Sequence, residues 1–235
     1  LVERGYKEVI LTGIHIGAYG RGVKDETCDL TGLCRRILDE TAIERLRIGS
    51  LEGIEVTDAL IEMIASDERM AKHLHLPLQS GCDKTLSAMR RPYDTEQFRE
   101  MMRRIRKQVP NIAITTDLMV GFPGETEEDF KESLVFCNDI AFSAMHIFKY
   151  SMRSGTPAAA MPDQIDPQIK ERCAKQMADV AQKNKLEYER RFIGKTLRIL
   201  VEEQNADGLW TGHSPNYLLV TFPGEGVRSG DFVDV

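Results

Sequence analysis

Residues 112–126, IAITTDLMVGFPGET, constrain the fold of this 235-residue chain more than any other stretch. They open as a near-continuous apolar run with β-branched residues, the pattern of a strand buried on both faces. The run ends in Gly121-Phe122-Pro123-Gly124-Glu125, a turn whose glycines let backbone approach a neighbour closely. Thr126 then starts a helix, with Asp129 at the reciprocal position of a capping box. Strand, glycine turn and helix N-terminus bring unpaired N–H donors to one place, where the polar groups of a small molecule fit. A plain βα connection has the same pattern, so this stretch alone leaves both readings open.

The rest of the chain repeats the alternation. Residues 1–6 finish a helix that Gly5 caps. Strands are expected over 8–11, 45–51, 72–78, 112–120 and 143–150. Between them fall helices over 30–40 and 56–65 and a short one ending near Arg90. A longer helix carries the stripe Phe98, Met101, Met102, Ile105 and Val109, with Asp94 and Gln97 as its capping box. A further helix covers 127–139. Strands alternating with helices mean right-handed βαβ units and parallel pairing. Ligands of such sheets bind off the carboxyl ends of the strands. Here those ends are Thr12-Gly13, 50–53, 79–81, 121–125 and 151–155, all richer in Gly, Ser, Thr, Gln and Glu than the strands before them.

After Tyr150 the texture changes. Pro157, Pro162 and Pro167 punctuate a loop over 154–167, and a charged helix follows over 167–192. Short strands at 196–201, 209–213, 217–222 and 232–235, with Asp207-Gly208 as a hairpin signal, suggest a small open barrel of the OB-like kind. The expected division is therefore 1–160, a linking loop and helix over 161–192, and a small all-β domain over 193–235.

Net charge is −6, which argues against indiscriminate nucleic-acid binding, yet residues 84–107 carry +5 and residues 170–195 carry +4. Such runs are either solvated helix faces or the footprint of a phosphate partner. Cys28, Cys34, Cys82, Cys137 and Cys173 are not spaced as a disulfide framework or a metal site and point to a reducing cytoplasm. No apolar run is long enough for a bilayer, so no membrane partner is expected. The chain starts without Met, as if inside a helix, and is expected to be a piece of a longer protein.

In LTGIHIGAYG (11–20), RLRIGSLE (45–52), HLHLPLQSGCDKTLSAMRRPY (73–93), TTDLMVGFPGETEEDF (115–130) and FKYSMRSGTPAAAMP (148–162), the chain resembles the radical S-adenosylmethionine methylthiotransferases. The tail, with GLWTGHSPNYLLVTF (208–222), looks like their TRAM module. Within the family, LTGIHIGAYG and RLRIGSLE look most like the branch acting on N6-threonylcarbamoyladenosine at tRNA position 37. The resemblance implies a partial (β/α)6 TIM-like barrel without its first strand, followed by a TRAM barrel. It implies S-adenosyl-L-methionine and two 4Fe-4S clusters as cofactors, with a tRNA anticodon stem-loop and an electron donor as partners. The family's CxxxCxxC motif and the auxiliary-cluster cysteines have no counterpart here, so no metal ligand is expected in this chain, and alone it is expected to be inactive.

The resemblance also distributes roles. Thr12 and Gly13 correspond to a turn that meets the methionine amino group, and Ser50 and Glu52 are candidates for ribose or the methionine moiety. Glu52 could equally cap a turn or pair with Arg47. Gln79 and Ser80 lie where the family places cofactor contacts, and Gly121 and Gly124 would let backbone pass under adenine, with Glu125 supporting the turn. His73 and His75 read as satisfied interior or wall residues rather than ligands. Asp117, an acid inside the central strand, needs a partner, either substrate or a buried cation. Arg90 and Arg91 could reach a phosphate or a carboxylate. Lys149 and Arg153 bracket the last barrel strand near RNA. Trp210 and Tyr217, with His213, are stacking candidates or core residues, in a tail whose balance of −3 gives RNA binding no support. Isopentenyladenosine-37 or a ribosomal protein is an alternative substrate, and a non-catalytic RNA-binding remnant is the alternative from another class.

Overall fold

Strands and helices alternate as expected in the computed structural model, which describes residues 1–24 and 28–235. In chain order the elements are β1 (Glu8–Leu11), α1 (Leu30–Glu40), β2 (Arg45–Ile48), α2 (Asp58–Ser66), β3 (His73–His75), α3 (Asp83–Ala88) and α4 (Thr95–Gln108). They continue as β4 (Ala113–Val120), α5 (Glu127–Ile140), β5 (Ala144–Lys149), α6 (Pro167–Arg190), β6 (Arg198–Gln204), β7 (Trp210–His213), β8 (Leu219–Phe222) and β9 (Phe232–Asp234). The expected helix end at residues 1–6 is a 3-10 turn, Val2–Arg4, closed by Gly5 at φ 86°. Among the described residues no helix is long and apolar enough to cross a membrane. The chain divides into two compact units.

The first unit comprises Leu1–His75, Ile105–Ala113 and Phe192–Val235. Its β1 and β2 pair in parallel, Glu8 opposite Arg45 and Ile10 opposite Arg47. On the far side of β2, Ala71 N donates to Leu46 O at 2.9 Å, and Leu51 N donates to His75 O at 3.0 Å. Asp29 and Thr57 cap α1 and α2 through their side chains. Leu46 and Ile48 of β2, Leu38 of α1 and Leu60, Ile61 and Ile64 of α2 belong to the buried apolar interior. The strand expected to reach residue 51 stops at Ile48. The tail is an antiparallel sheet of order β8-β7-β6-β9. Ile199, Val201 and Phe222 form its core, with Trp210, Val220, Val227 and Val233 packed against them.

The second unit comprises Leu76–Arg104 and Ile114–Arg191. Its β4 and β5 pair in parallel from Thr115 opposite Ala144 to Val120 opposite Lys149. The expected strand over 72–78 is short for a local reason: Pro77 has no N–H to give a ladder. The Thr116 hydroxyl mends the gap, donating to Leu76 O at 2.7 Å and accepting from Leu78 N at 2.9 Å. Pairing with β4 resumes at Gln79, whose N donates to Asp117 O at 2.9 Å and whose O accepts from Met119 N at 2.8 Å. Thr126 and Asp129 form the expected capping box of α5, and Asp94 and Gln97 exchange the expected bonds ahead of α4. Phe98 lies within 6.0–6.4 Å of the rings of Tyr93, Phe136 and Phe142 and fills the space between helices. Asp166 and Pro167 start α6, which ends at Arg190 rather than at residue 192.

Candidate functional site

A cavity of about 520 Å³ opens in the second unit at the carboxyl ends of its strands. Gln79 comes from the end of the 76–79 segment, Met119 and Phe122 from β4 and its turn, and Thr156, Pro157, Ala158 and Met161 from the loop after β5. Ala88, Met89, Arg90 and Arg91 close it from the end of α3. Three of these positions are set by backbone geometry. Gln79 and Arg90 have left-handed φ of 69° and 57°, uncommon for residues with a Cβ and frequent at binding sites. Arg91 N donates to Leu86 O at 2.9 Å, which fixes the turn that aims both arginines. The result is a mostly apolar chamber, rich in methionine, with two guanidiniums and one carboxamide at its wall. It can take a flat apolar group on Met119 and Phe122 and an anion on Arg90 or Arg91.

The sequence picked out Gln79, Arg90 and Arg91, and the structure brings all three to this cavity. Ser80, beside them in the chain, is fully buried instead, its hydroxyl accepting from Cys82 N at 3.3 Å. Met89, Met119, Phe122 and Met161 went unmarked as site residues. The only signal was their place beside marked turns, and an apolar residue there reads equally well as core.

The glycine turn serves the fold first. Gly121 has φ 71° and donates its N–H to Glu125 Oε2 at 2.5 Å. A Cβ there would run into the Lys170 stem, whose Nζ donates to Tyr150 O at 3.0 Å. Burial pushes the Glu125 carboxyl up to about 7, against the Gly121 N–H and with help from the Asp129 charge. Glu125 therefore supports the turn, and lines a smaller cavity of about 240 Å³ beside Phe130, Ile169 and Cys173. Gly124, at φ 80°, has open space around it. Lys149 is exposed and paired with Glu171 at 2.6 Å, and Arg153 is exposed at the start of the loop. Asp117 is half-buried on β4, opposite His146 of β5.

The remaining candidates lie in the first unit. Thr12 and Gly13 are exposed after β1, where the loop is held by Glu55, which accepts from His15 and Arg21. Ser50 is exposed and bridges to His75, and Glu52 forms a capping box with Glu55 around a 3-10 turn. Arg47 pairs with Glu8, at 2.7 Å, and Glu8 also holds Arg45, at 3.1 Å. These two buried arginines reach the tail. Arg45 donates to the carbonyls of His213 and Arg198 at 2.9 and 2.7 Å, and Arg47 to those of Ser214 and Pro215 at 3.2 and 3.3 Å. Burial lowers Arg45 to about 10, with Glu8 opposing and the Arg47 charge adding. Tyr217 stacks on His73 at 4.3 Å and on His213 at 4.8 Å, with the Arg47 guanidinium 5.1 Å from its ring. Burial first, then the Arg47 charge, lowers His73 to about 3. Trp210 packs against the tail's core, while Tyr217 stacks on the two histidines and stays 44% exposed. The sequence showed arginines at alternate positions of RLRI beside a strand starting with Glu8, but not that one carboxylate would serve both.

S-adenosylmethionine carries an adenine and a carboxylate, and the cavity's apolar wall and arginine pair match that donor set. An iron–sulfur cluster does not fit these residues: among those described, no three His, Cys, Asp or Glu side chains stand together, and Cys34 and Cys137 are buried thiols whose burial pushes them up to about 11 and 12.

A family model described as the radical SAM superfamily matches residues 1–137, and one described as the TRAM domain matches residues 190–235. The threonylcarbamoyladenosine tRNA methylthiotransferase MtaB of Bacillus subtilis (strain 168) is 38% identical over the whole chain. The tRNA-2-methylthio-N(6)-dimethylallyladenosine synthase of Desulfitobacterium hafniense (strain Y51) is 39% identical, also over the whole chain. The chain spans 53% of each, about half the length of the curated relatives it matches. Coproporphyrinogen III oxidase (HemN) from Escherichia coli, described as a radical SAM enzyme, superposes with a TM-score of 0.53 over 78% of this chain and 51% of that one, at 13% identity. The radical S-adenosylmethionine methyltransferase TsrM from Kitasatospora setae gives 0.52 over 68% and 31%, at 15% identity. At such identities the likeness concerns the fold alone.

Proposed function

Because the chain belongs to the radical SAM superfamily, we propose that the whole protein is a tRNA methylthiotransferase of the cytoplasm, adding a 2-methylthio group to N6-threonylcarbamoyladenosine at position 37 of an anticodon stem-loop. The observation that carries the cofactor half of this reading is the convergence of Gln79, Arg90 and Arg91 on one apolar cavity at the strand ends. Arg91, with Arg90 beside it, would hold the methionine carboxylate of S-adenosylmethionine. Gln79, offering both donor and acceptor, would fix a ribose hydroxyl or the same carboxylate. Met119 and Phe122 would bed the adenine and keep water from it. When bound, S-adenosylmethionine supplies the radical-forming and methyl-donating chemistry of the family. These residues would bind and orient it. Thr12, Gly13, Ser50 and Glu52 are proposed further contacts to the methionine and ribose, and Lys149 and Arg153 contacts to RNA. The full relatives' clusters and an electron donor belong to the proposal for the whole protein. The threonylcarbamoyl branch is supported by the Bacillus relative and by the segments at 11–20 and 45–52.

The test is mass spectrometry of tRNA nucleosides from cells lacking the gene. Loss of the 2-methylthio group from threonylcarbamoyladenosine alone is the expected result. Loss from the isopentenyl nucleoside would move the protein to the other branch. Unchanged nucleosides would overturn the tRNA reading.

A further inference from the structure

The cavity leaves one polar row of the second unit unexplained. Along β4 and β5 the parallel register sets Thr115 opposite Ala144, Asp117 opposite His146, and Met119 opposite Phe148. Side chains alternate between faces along a strand. Lys149 reaches Glu171 of α6, so Met145, Ile147 and Lys149 share the helix-covered face. Ala144, His146 and Phe148 therefore stand on the other face, in one row with Thr115, Asp117 and Met119. Met119 also lines the 520 Å³ cavity, so the row runs into it. The helix-facing residues of β4 pack as core should, Ile114, Leu118 and Val120 being at most 1% exposed. On the open face, by contrast, His146 is exposed in mid-strand, Phe148 is 51% exposed and Asp117 is half-buried. Adjacent strands lie about 4.8 Å apart, so an imidazole and a carboxylate stand side by side on the floor next to the cavity.

We propose that His146, flanked by Asp117, reads the N6 substituent of the target adenine and selects a polar substituent over an apolar one. This deepens the function proposed above and rests on it. A threonylcarbamoyl group carries a hydroxyl, urea N–H groups and a carboxylate. An imidazole both donates and accepts, and the carboxylate of Asp117 accepts from N–H. A dimethylallyl group offers neither of them a partner, and a site built to hydrogen-bond a substituent rejects an analogue that lacks the bonding groups. Phe148, next in the row and half exposed, offers an apolar bed for the purine of the target nucleoside.

The test titrates the 235-residue chain with fluorescently labelled anticodon stem-loops carrying threonylcarbamoyladenosine, dimethylallyladenosine or plain adenosine at position 37, read by anisotropy. The native chain should prefer the threonylcarbamoyl stem-loop by about tenfold or more. His146→Leu should bring the three affinities together. His146→Gln, which keeps a donor and an acceptor, should retain part of the preference. His146 is exposed, so neither change removes core packing. A native chain without preference, or a His146→Leu chain that keeps it, overturns the inference and leaves the tRNA reading standing. Failure of the chain to bind any stem-loop overturns the inference, while the nucleoside analysis still decides the tRNA reading.

Discussion

His73 shows how burial turns one residue into a pH-dependent element. Its ring is stacked on Tyr217 and cannot take a proton cheaply, so its folded pKa of about 3 lies below the ordinary 6.5. The unfolded chain therefore binds one more proton than the folded chain between pH 6.5 and 3. Stability from this residue is complete above 6.5 and declines as pH falls, by up to about 1.4 kcal/mol per pH unit. His73→Phe keeps a ring for Tyr217 and lacks the proton site. Urea denaturation of both proteins at pH 7 and pH 4.5 should show the native chain losing more stability than the variant on acidification. Equal losses would mean that His73 is not held neutral. The alternation HLHL reads His73 as an interior or wall residue, yet gives no hint of its partner. Tyr217 lies far along the chain, and only the docked tail brings the two rings together.

Elements whose start and stop signals are local were legible. β1 and α1 have the residues read from apolar spacing, and α5 begins at the capping box of Thr126 and Asp129. What the pattern did not show was how tightly α5 lies on the turn after Gln79. Gly81 N donates to Ser133 Oγ at 2.8 Å, and a Cβ on Gly81 would come within 3.0 Å of Phe136 Cβ and of Ser133 Cα and O. Two of those atoms are backbone of α5 and the third is a Cβ fixed to it, so the helix itself must give. Gly81→Ala should cost about 1–3 kcal/mol, measured by chemical denaturation. The same substitution at Gly124, where nothing lies nearby, would report the strain of its left-handed φ alone. A Gly81→Ala loss no larger than that at Gly124 would refute close packing as the reason for glycine. The strand is shorter than the alternation over 72–78 predicts because Pro77 interrupts the ladder and a side chain on another strand, Thr116, repairs it.

At the scale of the whole molecule, two arginines of β2, both held by the carboxylate of Glu8, bond to the tail beside the pairs Arg198–Glu44 and Lys7–Asp231. Glu8 is 9% exposed at its side chain and Arg45 and Arg47 are 3% exposed. Removing Glu8 leaves two buried guanidiniums uncompensated, at a cost of about 3–5 kcal/mol. Hydrogen exchange of Glu8→Ala should show β6 and β7 losing protection together with β2, since both sides share the same charges. Loss confined to β1 would show that the tail holds by its own sheet. Order of elements and class of fold were legible because both follow from local periodicity. This junction was not, because it depends on which face of β2 meets which strand of the tail.

The arginines of β2 reach carbonyl oxygens at residues 198, 213, 214 and 215, and a carbonyl is present whatever side chain the residue carries. Away from Tyr217, Phe232 and the charged pairs of Arg198 and Asp231, the tail is held by the path of its main chain rather than by its spelling. Its surface can therefore drift, or be replaced by another sheet of the same trace, while the docking bonds stay in place. Variation in what such a tail touches is thereby uncoupled from how it is held.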